Sequence, residues 1–413
     1  MTLLVFLSLL ISLQMQSADS VDVNDLGVQG ALEIAYQQNP KINQLTYQIR
    51  AQEQNETLTI GLDKPEISYF REGIGEGMFT EQRWSVSQQI QFPLTSIYQH
   101  RVERSTTSSL REQLNALQIS VKADVKSAYT KLAYAIRILS LAQERVDLFE
   151  DLRRAARARS DIGESSQIDA IQADLQLRES QNNLELASLQ FMDARYNLFQ
   201  TIGLGEDEQT YDISFPDTLQ YTEVNIDQEL VMQRLNEHPR IKMVELEREA
   251  TEYQKKAAKS SYLPDLNLSY YRQDFGNQYD FYGFEVGVQI PLWFGIDQSK
   301  QVKRANANIR KAEWKLRDIS LLLKKQAEQS WHGYQSSREN ILRFRETIQS
   351  QSVDLINMTQ TGYRMGELGL LTLLEAQRTY LRTQEAYYQT LRDYYLRIIE
   401  LERYLQEDII FKQ

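Results

Sequence analysis

The sequence predicts a mainly α-helical chain with a small β part, in which one unit of helix, β-hairpin and long helical hairpin occurs twice. Three observations predict it: a shortage of helix breakers, the spacing of the prolines, and a hydrophobic period that changes in the same order in both halves. Gly 17 and Pro 7 together make 24 of 413 residues, against a usual combined share of about 12 %. Long stretches can therefore run as uninterrupted helix. Pro40, Pro65 and Pro93 return as Pro239, Pro264 and Pro291, displaced by 199, 199 and 198 residues, and Pro216 sits between the halves. Each half then closes with a proline-free run of equal length, 94–215 and 292–413. Local wording agrees: Asn39-Pro40-Lys41-Ile42 answers His238-Pro239-Arg240-Ile241, and Gln91-Phe92-Pro93-Leu94 answers Gln289-Ile290-Pro291-Leu292. A period this long is a duplicated domain-sized unit, far beyond a solenoid repeat. The first repeat is placed at 27–205 and the second at 226–405, with a linker at 206–225 and a tail at 406–413.

Ahead of the repeats, Leu3 to Leu13 is almost wholly apolar and the chain turns polar at Gln14. This run is short of the roughly 20 residues of a spanning helix and suits a secretory signal, placed at 1–19. Each repeat opens with a helix, about 29–58 and 227–259. Two strands follow in each, about 66–72 and 82–92, then about 265–273 and 281–290. In them Trp84, Val86 and Ile90 alternate with Ser85, Ser87 and Gln89, and Phe284, Val286 and Val288 with Glu285 and Gln289. Successive strand side chains face opposite ways, so each strand has one greasy and one polar face. Gly73-Ile74-Gly75-Glu76-Gly77 and Phe275-Gly276-Asn277-Gln278 read as the hairpin loops. Pro93 and Pro291 mark the turns from strand to helix. Beyond them the spacing is helical: Val121, Val125, Ala128, Leu132, Ala135, Leu139, Ala142, Val146 and Phe149 step by fours and threes. That is a near-heptad seam. Ile309, Ala312, Leu316, Ile319 and Leu323 repeat it, and each long helix ends at a glycine turn, Gly163 or Gly366, from which a second helix returns.

Composition narrows the function. Lys+Arg 46 against Asp+Glu 57 leaves a net charge of −11, which disfavours nucleic acid as a partner. With Cys 0 there are no disulfides, thiolate metal sites or cysteine nucleophile. A mean hydropathy of −0.51 leaves no room for a polytopic helical membrane protein. His100, His238 and His332 are far apart, and no HExxH or phosphate-binding loop is present. His238 falls at a helix start and reads as a cap. No catalytic residue, metal site or cofactor is predicted.

Four strands with one apolar face cannot close a barrel, which needs about eight, and open edges are not tolerated in lipid. Three copies give twelve strands, an outward apolar face and a wet lumen lined by Ser85, Ser87, Gln89, Glu285 and Gln289. Tyr69, Phe79, Trp84, Tyr271, Tyr282 and Trp293 are assigned to an interfacial aromatic girdle.

This order of parts, with proline at each strand-to-helix junction and tips reading Ile162-Gly163-Glu164 and Met365-Gly366-Glu367, resembles the TolC-type outer-membrane efflux proteins. The resemblance covers about 27–405. It implies a homotrimer: a 12-stranded β-barrel in the lipid of the bacterial outer membrane, continuous with an α-helical barrel through the periplasm. It implies as partners a periplasmic adaptor, met by the tips Gly163, Glu164, Gly366 and Glu367, and an inner-membrane pump. The wording SQQIQFPL and IGESSQIDAIQADLQL is most similar to the members serving heavy-metal RND pumps (CusC/CzcC-like). The family's periplasmic gate maps onto Glu375, Thr372, Asp169 and Tyr363; Thr372 stands where a second acid is common, and Leu368 where an arginine would pair with the tyrosine. Two alternatives stay open, a type I secretion outlet for polypeptides and a periplasmic coiled-coil scaffold outside transport.

Overall fold

The computed structural model describes residues 26–58, 63–73, 81–163, 165–205, 219–276, 279–290 and 297–411. The predicted signal, most of the linker, Glu164, Pro291, Phe79 and Trp293 lie outside them. Among the described residues no helix is long and apolar enough to cross a membrane. The chain divides into two compact units, one of residues through 39, 124–222 and 340–396, the other of 40–123, 223–339 and 397 onward.

The second of these units holds the strands. β1 (Glu66–Glu72), β2 (Glu81–Ile90), β3 (Asp265–Phe275) and β4 (Tyr279–Gln289) form one antiparallel sheet in the order β1-β2-β3-β4. The repeats join at β2 and β3, where Glu81 faces Phe275 and Ile90 faces Leu266. The strands end at helices: the Phe92 N–H donates to Asp265 Oδ1 (2.9 Å), and Thr95 and Ser260 share a hydroxyl hydrogen bond of 2.8 Å. The opening helix of each repeat is two helices instead of one. In the first, α1 (Val28–Gln38) stops at Asn39, which is extended at φ −61°, ψ 120°, and α2 (Pro40–Leu58) begins at the proline. Proline drives the residue before it out of the helical region while fitting the first helical position itself. α3 is Pro93–Asp161 and α4 Gln167–Ile202. In the second repeat α5 (Gln228–Arg234) runs into a 3₁₀ turn, His238 is extended, and α6 (Pro239–Ser260) follows. His238 caps α6, its Nδ1 accepting the Arg240 N–H at 3.2 Å.

The seam read from α3 is buried at Val121, Val125, Ala128, Leu132, Ala135, Ala142, Val146 and Phe149. Nearer the strands small buried residues replace it, Ser105, Thr107 and Ser109, and Ser109 Oγ donates to the Met243 carbonyl of α6 at 3.0 Å. Small side chains let helices approach closely there. The second long helix is α7 (Asp297–Arg343), a π-turn (Phe344–Ile348) and α8 (Gln349–Arg364), and α9 (Leu370–Leu405) returns. In the unit that contains the tips, Val146, Phe149 and Leu152 of α3, Leu177 of α4, Ile356 of α8 and Leu373, Leu374 and Leu381 of α9 form one core.

Candidate functional site

Two regions carry functional geometry, the sheet and the helical tips. On one face of the sheet Ile67, Val86, Tyr270 and Phe284 follow one another along a hydrogen-bonded row. All four are exposed, as are Trp84, Tyr282, Val286 and Val288 on the same face. Monomeric soluble proteins rarely leave a contiguous apolar surface of this kind bare. Tyr69 and Trp84 pair on it with ring centroids 4.6 Å apart. The other face presents Glu66, Ser87, Ser269 and Glu285 in one row. There Arg83 bridges Glu285 at 3.1 Å, and Ser68 and Ser85 share a hydrogen bond of 2.7 Å. Tyr271 belongs to this polar face, which corrects its assignment to the girdle: its register beside Ser269 places it there, with Arg83 4.0 Å above its ring. The ring lies over Gly283, where an added Cβ would sit 2.1 Å from Tyr271 Cζ. Side-chain alternation decides the face, and an aromatic residue alone does not.

At the tips Gly163 and Gly366 adopt φ +77° and +80°, a left-handed conformation that glycine reaches without strain. Past Gly163, Ser166 caps α4 by accepting the Ile168 N–H at 3.1 Å. Asp169 sits half-buried in the first turn and makes no ion pair among the described residues. Past Gly366, the Glu367 N–H returns to the Gly362 carbonyl at 2.9 Å, and Glu367 is exposed. Thr372 and Glu375 stand exposed three residues apart on α9, on the side away from buried Leu373, Leu374 and Ala376. Glu375 is shared with Arg378 at 3.4 Å. Tyr363 packs on the core, and its ring lies 5.4 Å beneath the Arg159 guanidinium. The structure thus does not bring Asp169 and Tyr363 together by a hydrogen bond; Leu368, at the predicted arginine position, lies against Gly362. The cation on the tyrosine comes instead from the arginine-rich end of α3. The same run supplies Arg157, 3.1 Å from Asp174, which Arg178 also meets at 3.3 Å. Sequence reading missed both Arg159 and Asp174; four arginines between 153 and 159 were the available signal. Nearby Gln377 is 1 % exposed and its Oε1 has no hydrogen-bond partner among the described residues.

Apolar residues also remain exposed along two helices of this unit. On α4 these include Ile168, Ile171, Leu175, Leu186 and Leu189, and on α8 Leu355 and Met358.

A sheet with one apolar, exposed face and one polar face, in a chain of long helices, fits a class: the outer-membrane channels. Residues 230–406 match the family described as outer membrane efflux protein. A curated relative, the outer membrane efflux protein BepC of Brucella suis biovar 1 (strain 1330), is 21 % identical over 380 residues, covering 88 % of this chain and 82 % of its own. The outer-membrane channel OprN shares the fold with a TM-score of 0.77 at 17 % identity, over 92 % of this chain and 89 % of that one. CusC does so with a TM-score of 0.76 at 15 % identity, over 93 % of each chain. The resemblance to the TolC-type outer-membrane efflux proteins holds: the second repeat carries the family's sequence and the described chain has the fold of its channels. This is a bacterial outer-membrane protein and not an enzyme.

Proposed function

We propose that three copies assemble into the exit duct of a tripartite efflux pump, conducting passively what an inner-membrane pump and a periplasmic adaptor deliver. The observation that carries this reading is the sheet: among the described residues, four strands with β1 and β4 unpaired at its edges and one continuous apolar face. Neither the edges nor the apolar face is stable in lipid or in water unless further copies complete a barrel. The exposed apolar stretches on α4 and α8 support the same closure between copies. The tips around Gly163, Glu164, Gly366 and Glu367 meet the adaptor, and Pro93 and Pro291 mark the passage from barrel to helices. Glu375, with Thr372 one turn before it, forms the periplasmic constriction, and Asp169 and Tyr363 brace it. Three Glu375 carboxylates around an axis concentrate negative potential at a narrow point.

The finer reading is a duct for heavy-metal cations served by an RND pump. It is supported by the wording at 87–94 and 162–177 and by the polar face, where Glu66, Glu81 and Glu285 outnumber Arg83. Outer-membrane fractions are expected to yield heat-labile trimers that open rarely in planar bilayers, with Glu375→Ala raising the open fraction several-fold. A protein that stays monomeric in detergent-free extract and never conducts would overturn the duct. A neighbouring ABC exporter gene would redirect the cargo to polypeptides.

A further inference from the structure

We infer that the base of the sheet, where the strands pass into helices, is a docking collar for the anionic headgroups of phospholipid. The inference rests on the duct reading, which sets the apolar sheet face in lipid. Four stretches leave or enter the sheet at this end: 56–65, 94–104, 255–264 and 297–304. Together they carry nine lysines and arginines against four carboxylates, Glu56, Asp63, Glu103 and Asp297, in a chain whose net charge is −11. Arg104, Lys256, Lys259, Lys300, Lys303 and Arg304 are all exposed. None of these cations makes an ion pair with a carboxylate among the described residues, whereas cations farther along the same helices do, as Arg111 does with Glu53 (2.8 Å) and Arg310 with Glu313 (3.0 Å).

The order of residue types is the second observation. Moving away from the strands, α3 shows exposed Leu94 and Ile97 first and its arginines a turn later. Moving away from β3, exposed Leu263 and Tyr262 come before Lys259 and Lys256. Apolar, then aromatic, then cationic is the sequence of environments from acyl chain to headgroup, and lysine stems can lie along the apolar layer while their charges reach phosphate. The hairpin end of the sheet has the opposite sign. Stretches 71–81 and 272–280 hold two arginines against five carboxylates, and Arg272 there is taken up by Asp280 at 2.7 Å. The positive charge is thus confined to the end that the duct reading places at the periplasmic leaflet, and it fits a phosphate surface better than a protein groove.

The test uses purified full-length trimers in nanodiscs of phosphatidylcholine, with and without phosphatidylglycerol. Phosphatidylglycerol is expected to be retained over phosphatidylcholine by on the order of tenfold in native mass spectra, and to raise the temperature at which trimers dissociate. The variant Lys256→Gln/Lys259→Gln/Lys300→Gln/Lys303→Gln/Arg304→Gln should form trimers in phosphatidylcholine yet lose both effects. Lys256→Arg/Lys259→Arg/Lys300→Arg/Lys303→Arg should keep them. Indifference of the wild-type trimer to phosphatidylglycerol, or a preference unchanged in the glutamine variant, would overturn the collar and leave the duct standing. So would an equal shift produced by inorganic phosphate alone. Failure to form trimers in any lipid would overturn the duct reading and the collar with it.

Discussion

The two repeats have the same plan but different chemistry at matching positions. Gly203 and Gln406 both follow a 36-residue helix and both adopt a left-handed conformation, φ +90° and +59°. At Gly203 an added Cβ would meet the Gln38 carbonyl oxygen at 2.8 Å, so glycine is required by contact as well as by backbone. Farther along the tips, Asp174 is held by arginines while its counterpart Gln377 is buried with an unpartnered oxygen. At the helix openings Asn39 matches His238, a residue that cannot titrate against one that can. Duplication thus preserved the backbone and let the polar fittings diverge.

That difference can be broken at His238 with the largest effect. Burial, and then the nearby Arg240 charge, push its pKa from 6.5 down to about 4. The unfolded chain therefore binds the proton more readily than the folded one. The stability contributed is complete above pH 6.5, is lost as pH falls toward 4, and changes no further below it. The loss amounts to about 3 kcal/mol, read as the shift of the urea midpoint of detergent-solubilised protein across that window. His238→Asn, which copies the first repeat, should flatten the profile. Next in size is Gly203→Ala, expected to cost about 2 kcal/mol from left-handed strain and the contact with Gln38, measured at neutral pH by the same midpoint. The smallest change sharpens the contrast from the other side. Gln377→Leu should stabilise by about 1 kcal/mol, because an apolar side chain leaves no buried oxygen without a donor. A midpoint that fell instead would mean that the glutamine is partnered in the assembled protein.

Much of this was legible in the sequence because strands and long helices announce themselves by period. β1 and β4 lie within two residues of the expected limits, and the glycine tips are where the spacing put them. The break at Asn39 was hidden because the helical period continues across a proline that can itself begin a helix, whereas His238 already read as a cap at a helix start. Tyr271 was misassigned because residue type was weighed above register. The tip residues show the same limit. Thr372 and Glu375 came from the resemblance to the family, and the Arg159–Tyr363 contact joins two helices, a pairing that no local pattern reports. The apolar side of the sheet was readable from alternation alone.

The joining of the repeats at β2 and β3 has a consequence for how the protein is made. Ile90 must wait for Leu266, and Glu81 for Phe275, so the first hairpin is synthesised long before its partner strand exists. Contacts this distant in the chain form slowly, and a bare strand edge invites mispairing meanwhile. Until the second repeat has been made, the β2 edge of the first hairpin has no partner, and making the chain, more than holding the finished fold, is where this topology is exposed.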